Sequence, residues 1–330
     1  MIKDHLEQLR NAKTPRCKTL QKLGTVKVNA VESTPVVWKG NLLRFEWVRN
    51  SDYGKAGGIT RETGCYHFVD AKTEQPLFEF ADDHSFGCCI AEGDKMYVLG
   101  TRGGGGNVLD TFWSTDLENW EQSTALTFPE DIKLYNTSVC KADGKYVMAI
   151  EIGGKNPAVG NPFTCVFAES DDLISWTLLD MTEYSFTRDR YSACPCIRYC
   201  DGYYYIICLF AAPYHRWVPY IARSRDLKDF EMGTVNPIMW PDYNDKIVVH
   251  PERFTKEELD YIENAVDCNN SDIDMCEING KTLITYSWGN QLGKEFLALA
   301  EYNGTNEEFL KSFFCLAKAF KPESDFGERI

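Results

Sequence analysis

The sequence predicts an all-β protein, a five-bladed β-propeller with a short N-terminal helix and a helical insertion between blades four and five. The first observation is a hairpin unit that recurs five times, each time as a tight turn between two apolar, aromatic-rich strands. Its turns lie at Gly40, Asp94, Gly144, Gly202 and Gly280, which are 54, 50, 58 and 78 residues apart. Asp-Gly and Asn-Gly between apolar runs are strong hairpin signals, since both turn positions need a positive φ.

A second element, S-x-D-L-x-x-W/F, recurs between the hairpins at the same spacing. Its aspartates are Asp116, Asp172 and Asp226, which are 56 and 54 residues apart. Each unit then contains a hairpin, a third strand, a turn and a fourth strand that begins at the aromatic residue. Four antiparallel strands repeated around an axis form a propeller, whose closed ring protects its sheet edges. We expect each aspartate to cap its turn and each aromatic side chain to fill the space between blades.

Two segments fall outside the repeat. Residues 2–13 carry Ile2, Leu6 and Leu9 on one helical face, so residues 1–26 are expected to form a helix and lead-in to a catalytic propeller of residues 27–330. Residues 237–270 account for the longest spacing and form the predicted insertion. Within it, Thr255 and Glu258 make a capping box that predicts a helix through about Val266.

Composition and charge argue against several classes of partner. The chain has 35 basic and 49 acidic residues, a net charge of −14, which disfavours nucleic acids and anionic membranes. Neither a signal peptide nor a membrane span is expected, because no long apolar segment is present. The 13 cysteines follow no disulfide or metal-binding spacing, which favours reduced thiols and a cytoplasmic location. We expect no metal and no cofactor, and the oligomeric state stays open, a homo-oligomer included.

Polar residues at the strand starts are the candidate site. In a propeller the first residues of each innermost strand converge on the axis at one face, and converging carboxylates raise each other's pKa as general-acid catalysis requires. The predicted catalytic residues are Glu32, Asp189 and Asp272. The predicted substrate-binding residues are Asp83, His84, Asn136, Arg190, His215, Trp217, Asp274 and Trp288.

Asp272 carries the most specific expectation. Strict alternation along a strand would place Asp272 and Asp274 on one side, with Ile273 opposite. Two carboxylates on one face are costly unless a cation or a proton lies between them. We therefore expect Asp272 to serve the site and Glu32, across the axis, to activate water; the alternative is that Asp272 only caps the turn entering blade five.

The five hairpins, the S-x-D-L-x-x-W/F turns and the aromatic strand GYYYIICLF resemble the five-bladed glycoside hydrolases, among them families 43, 32 and 117. The resemblance spans about residues 28–315. It implies that two carboxyl groups hydrolyse a small oligosaccharide or glycoside. Family 43 enzymes have an Asp in blade one, an Asp in blade three and a Glu in blade four, where this chain has Glu32, Asn136 and Asp189. The acid–base pair therefore does not transfer residue by residue.

Two other functions fit the sequence. A glycoside phosphorylase shares the architecture and would need a phosphate cradle, for which Arg190, His215 and Arg216 are candidates. A non-catalytic sugar-binding propeller fits the departure from the family 43 pattern. Phosphate-dependent turnover would identify the phosphorylase, and binding of an uncleaved glycoside would identify the binding protein.

Overall fold

The computed structural model describes residues 20–49, 64–161 and 163–314, and these residues form the five predicted blades. Blade one contains β2 (Ser33–Trp38), β3 (Asn41–Val48), β4 (Gly64–Asp70) and β5 (Gln75–Pro76). Blade two contains β6 (Phe80–Glu92), β7 (Lys95–Arg102), β8 (Val108–Ser114) and β9 (Glu121–Thr127). Blade three contains β10 (Ile132–Ala142), β11 (Lys145–Gly154), β12 (Thr164–Ser170), β13 (Thr177–Leu178) and β14 (Ser185–Phe186).

The remaining two blades close the ring. Blade four contains β15 (Ala193–Cys200), β16 (Tyr203–Ala212), β17 (Arg216–Ser224) and β18 (Phe230–Met232). Blade five contains β19 (Asn269–Ile278), β20 (Lys281–Gly289), β21 (Glu295–Tyr302) and, as its outer strand, β1 (Leu20–Val28). Each innermost strand packs against the next, in the order β2, β6, β10, β15, β19 and back to β2. The predicted five-bladed propeller is confirmed.

The N-terminal strand is part of the ring. Antiparallel pairing of β1 with β21 joins the beginning of the chain to its last blade. The expected boundary between residues 26 and 27 therefore falls inside a strand, and the propeller includes the chain from Leu20 onwards. The N-terminal helix expected at residues 2–13 lies outside the described residues.

Both repeated sequence elements form the local structures that they predict. In blade three, Asp143 and Gly144 have φ values of 48° and 89° and connect β10 to β11. In the second element, the Asp116 carboxylate accepts hydrogen bonds from the backbone N–H groups of Glu118 and Asn119, at 2.9 and 2.8 Å. Trp120 then stacks on Phe80 at 3.8 Å. The expected capping and packing roles are confirmed.

Four of the five blade junctions are apolar and the fifth is ionic. Separate hydrophobic clusters fill the junctions from blade one through to blade five. Between blades five and one, Lys27 of β1 pairs instead with the buried carboxylate of Glu46 on β3. Arg44 donates to the same carboxylate at 2.6 Å, and His67 lies 3.0 Å from it. This ionic cluster joins β1, the outer strand of blade five, to blade one.

The insertion between blades four and five contains the predicted helix, α1 (Lys256–Glu263), and two 3₁₀ helices, Tyr243–Lys246 and Pro251–Arg253. The Thr255–Glu258 capping box is present, and α1 ends three residues before the expected Val266. The insertion contacts β1 so closely that a Cβ atom at Gly24, whose φ is 113°, would lie 2.1 Å from the carbonyl oxygen of Ile247. A second helix, α2 (Asn306–Ser312), packs its Phe309 and Leu310 against blade five.

Candidate active site

Bulges in the innermost strands direct side chains towards the axis. Strands β6, β10, β15 and β19 each break their pairing register near the face of the propeller where they begin. At three of these bulges a residue other than glycine has a left-handed conformation: Phe86, Cys194 and Asp272, with φ of 55°, 51° and 51°. A bulge bends its strand and redirects a side chain, and bulges are common beside active sites.

These side chains surround a cavity of about 380 Å³ on the axis. We call this cavity the axial pit. It is lined by Val31, Glu32, Trp47, Arg49, Phe86, Gly104, Tyr135, Asn136, Glu151, Phe163, Tyr191, Ala193, Cys194, Leu209, Asp272, Gln291 and Glu295. Its volume falls in the range of small-molecule binding sites.

One guanidinium group joins two of the four carboxyl groups in the pit. Arg49 donates to Glu32 through Nη2 and to Glu295 through Nη1, both at 2.9 Å. Burial raises the pKa of Glu32, whereas the charge and hydrogen bond of Arg49 act in the opposite direction. Glu32 is thus a buried carboxyl group whose ionised form has a positive partner.

Glu151 is a buried carboxyl group with neutral partners. Its Oε2 accepts hydrogen bonds from the backbone N–H of Cys194 at 2.8 Å and from Asn136 Nδ2 at 3.1 Å. Burial raises the pKa of Glu151 to about 7, although these two hydrogen bonds lower it. Glu151 therefore exchanges a proton near neutral pH, as a general acid or base must.

Asp272 is the third titratable group of the pit. Burial and the nearby charge of Glu32 together raise its pKa to about 8. The bulge at Asp272 also breaks the alternation expected for β19. Asp272 lines the pit, whereas Asp274 lies deeper and accepts a hydrogen bond from Thr34 at 2.7 Å. The strict alternation expected for this strand was wrong for this reason, although both carboxylates border a small niche at the bottom of the pit.

Aromatic rings form one continuous wall of the pit. Trp47, Phe86, Tyr135, Phe163 and Tyr191 follow one another from blade one to blade four, with ring centroids 4.9, 5.4, 5.1 and 5.4 Å apart. Glu32, Asp272 and Glu295 come from the first and last blades. The pit thus combines aromatic faces with carboxyl groups.

The pit narrows towards the middle of the propeller. A niche of about 20 Å³ shares Glu32, Asn136, Cys194 and Asp272 with the pit and extends down to Asp274. A volume of this size holds about one water molecule. Below the niche, Arg198 of blade four pairs with Asp274 of blade five.

Three of the predicted site residues line the pit: Glu32, Asn136 and Asp272. Asp274 belongs to the structure beneath the pit. The other predicted residues do not line it, so their expected positions are corrected.

Asp83, His84, Asp189 and Arg190 lie too far before their hairpin turns to reach the axis. The Asp83 side chain is exposed, and the buried His84 imidazole lies 2.9 Å from the carboxylate of Asp110 within blade two. Asp189 is 72% exposed and pairs with Arg190 at 3.0 Å in the loop before β15.

The residues at the ends of the second strands also point elsewhere. His215 is exposed in the turn before β17, and Trp217 follows it at the start of that strand. Trp288 is fully buried in blade five, where it stacks on Phe296 at 4.3 Å and donates to Thr25 Oγ1 at 2.8 Å. Trp288 is therefore a core residue and not a sugar platform.

The residues assigned to catalysis and substrate binding do not include Glu151, Arg49 or Glu295, although the first two are among the polar groups that the sequence places at the ends of second strands. A signal for Glu151 exists in the sequence, since this acidic residue interrupts the apolar run of β11, between Ile150 and Ile152. Arg49 and Glu295 flank strands at their ends, where charged residues are common, so sequence alone gives no comparable signal for them. The Thr101–Gly106 loop borders the pit through Gly104.

In the portion of the chain that the structure describes, no helix is long and apolar enough to cross a membrane. The same residues contain no group of three or more His, Cys, Asp or Glu side chains arranged to hold a metal ion.

Similarity to known proteins lies in the fold. No protein-family model matches the sequence, and no curated protein matches it. A solved structure described as a glycoside hydrolase has a TM-score of 0.60 and 14% identity, over 90% of this chain and 94% of that one. A xylan β-1,4-xylosidase from Bacillus halodurans has a TM-score of 0.55 and 13% identity, over 87% of this chain and 55% of that one. A family 32 β-fructofuranosidase from Bombyx mori has a TM-score of 0.53 and 13% identity, over 90% and 66%. The predicted resemblance is confirmed: this chain has the fold of the propeller glycoside hydrolases.

Proposed function

We propose that the protein is a glycoside hydrolase that cleaves a small oligosaccharide or glycoside in the axial pit. The observation that carries the proposal is the placement of three carboxyl groups with raised pKa values, Glu32, Glu151 and Asp272, in one cavity with an aromatic wall. Glycoside hydrolysis needs one carboxyl group that is protonated and another that is ionised, on opposite sides of the scissile bond.

Glu151 is the proposed general acid. Its pKa of about 7 leaves a substantial protonated fraction at neutral pH, and its partners hold the carboxyl group without neutralising it. Glu32 is the proposed base, because Arg49 favours its ionised form. The water-sized niche borders Glu32 and gives the attacking water a place beneath the sugar.

Asp272 is proposed to hold sugar hydroxyl groups. With a pKa of about 8 it is mainly protonated at neutral pH, so its carboxyl group can both donate and accept a hydrogen bond. The aromatic wall supports the same interpretation, since the apolar face of a sugar ring packs well on an aromatic face. The named activities of the similar structures, a xylosidase and a fructofuranosidase, agree on the reaction class but differ in the sugar.

The phosphorylase alternative lacks support at the pit. Arg190, His215 and Arg216, the candidates for a phosphate cradle, do not line it. Among the described lining residues the cationic side chain is that of Arg49, which already pairs with two carboxylates. A phosphate ion would meet an acidic cavity without an available cation.

The experiment is a screen of 4-nitrophenyl glycosides and oligosaccharides, with and without phosphate. We expect phosphate-independent release of a sugar, and we expect Glu32→Gln and Glu151→Gln each to lower kcat by about 100-fold or more, the scale of lost acid–base catalysis. Asp189→Asn is the matched control, because this exposed carboxylate lies outside the pit and should leave kcat unchanged. Binding of a glycoside without cleavage by the wild-type protein, or full activity in Glu32→Gln, would contradict the proposal.

A further inference from the structure

Closed packing beneath the pit determines how a substrate can enter. Arg198 of blade four donates a hydrogen bond to Asp274 of blade five. It also donates to the carbonyl oxygen of Met275, at 2.8 Å. Thr34 of blade one donates to Asp274 at 2.7 Å. Ser138 of blade three accepts a hydrogen bond from the backbone N–H of Ile197 at 3.0 Å.

The remaining blade completes this floor. Thr137 lies 3.4 Å from the Cys88 sulfur of blade two, and both side chains are buried. These hydrogen bonds join neighbouring innermost strands around the axis, from blade two through blades three, four and five to blade one. Because the pit narrows above them to a niche that holds about one water molecule, a saccharide chain cannot thread through the propeller and must enter the pit end first.

The ionisable groups around the pit select the charge of the entering sugar. Four carboxyl groups and one guanidinium group line the cavity among the described residues. Even with Glu151 and Asp272 protonated, Glu32 and Glu295 leave an excess of negative charge over Arg49. Since Arg49 already donates to both of those carboxylates at 2.9 Å, an additional carboxylate or phosphate on the sugar would be buried without a partner.

From these two observations we infer that the pit accepts a single uncharged sugar residue at the end of a chain and rejects anionic sugars. This inference rests on the proposed function and adds its mode of action and substrate class. The terminal sugar lies over the niche with its ring against the aromatic wall. The rest of the substrate extends out of the mouth, so the enzyme shortens chains by one residue at a time.

The cleavage test uses oligosaccharides of the sugar whose 4-nitrophenyl glycoside is hydrolysed, labelled at the reducing end with 2-aminobenzamide. We expect free monosaccharide and a labelled product one residue shorter from the first minutes of reaction. Labelled products of mixed length at early times would show internal cleavage and would overturn the end-first mode.

The charge test compares each neutral methyl glycoside with its uronate counterpart by saturation-transfer NMR, which needs no turnover. We expect neutral sugars to bind and uronates to bind at least about 100-fold more weakly, because an unpaired like charge costs several kcal/mol. Equal or tighter binding of a uronate, or failure of every neutral sugar to bind, would overturn the inference. Binding of neutral sugars without hydrolysis would contradict only the proposed function.

A charge variant separates electrostatic rejection from a steric one. Glu295→Gln removes one negative charge from the pit and releases part of Arg49 for a new partner. We expect this variant to reduce the discrimination against uronates by about tenfold. Glu301→Gln, on the same strand but paired with Lys281 on the surface, is the matched control and should keep the wild-type ratio. An unchanged ratio in Glu295→Gln would refute the charge argument.

Discussion

Replacing Glu151 with glutamine separates its proposed catalytic role from its structural one. Glutamine keeps the volume and an oxygen that accepts hydrogen bonds from Asn136 and the Cys194 backbone. It cannot donate a proton to a leaving group. We expect kcat/KM to fall by about 10²- to 10⁴-fold for substrates with a poor leaving group, and the loss of activity at rising pH, centred near the Glu151 pKa of about 7, to disappear.

The stability of Glu151→Gln should increase, although its activity should fall. The displacement of the Glu151 pKa from 4.5 to about 7 corresponds to about 3 kcal/mol of preference for the protonated form in the folded protein. A raised pKa contributes stability below the unfolded value of 4.5, and this contribution is lost as the pH rises through 7. We therefore expect Glu151→Gln to match the wild type near pH 4 and to exceed it by up to about 3 kcal/mol at pH 9, as measured by urea unfolding.

A change of leaving group provides the internal control. A 2,4-dinitrophenolate departs without protonation, so the variant should lose far less activity with that substrate than with an alkyl glycoside. An equal loss with both substrates would refute the general-acid assignment. A lower stability of Glu151→Gln at pH 9 would refute the interpretation of Glu151 as a costly buried carboxyl group.

Two further predictions follow from the pit and from the ring closure. The niche lies at the bottom of the pit, opposite its mouth. For a sugar bound as proposed, water should therefore attack from the face opposite the leaving group, and ¹H NMR of the first product should show the inverted anomer. Retention would place the nucleophile elsewhere. In the ionic cluster of blades five and one, burial tends to raise the pKa of Glu46, but Arg44, His67 and Lys27 hold it well below its ordinary range. That contribution to stability is present above pH 4.5 and is lost as the pH falls below it. Glu46→Gln should therefore lower the free energy of unfolding, measured in urea, by about 3 kcal/mol at pH 7 and by much less at pH 3. An equal cost at both pH values would contradict the ionic role.

Local signals made the fold predictable. The turns at Gly40 and Gly144 and the capped turn at Asp116 depend on neighbours within four residues, and all three form as expected. The strand that closes the ring was missed because β1 pairs with β21, some 270 residues away, and its sequence has no turn of its own.

Side-chain direction was harder to predict than strand position. Trp288 lies near the end of an apolar strand just as Trp47 does, but Trp288 packs into blade five and Trp47 lines the pit. Alternation along a strand predicts the direction of a side chain only where the strand has no bulge. Four innermost strands contain bulges near the pit, so a parity argument such as that for Asp272 and Asp274 fails at the very place where it matters.

A fixed distance from the turn is more informative than residue type. The residues eight positions before Gly40, Asp94, Gly144, Gly202 and Gly280 are Glu32, Phe86, Asn136, Cys194 and Asp272, and all five line the pit. The distance is constant because each hairpin has the same length of paired strand between its turn and the axis. The prediction favoured polar residues at these positions, so it passed over Phe86 and Cys194 and replaced them with nearby polar residues that lie outside the pit. Repeat geometry thus locates the site first, and chemistry then assigns roles to the residues that the geometry selects.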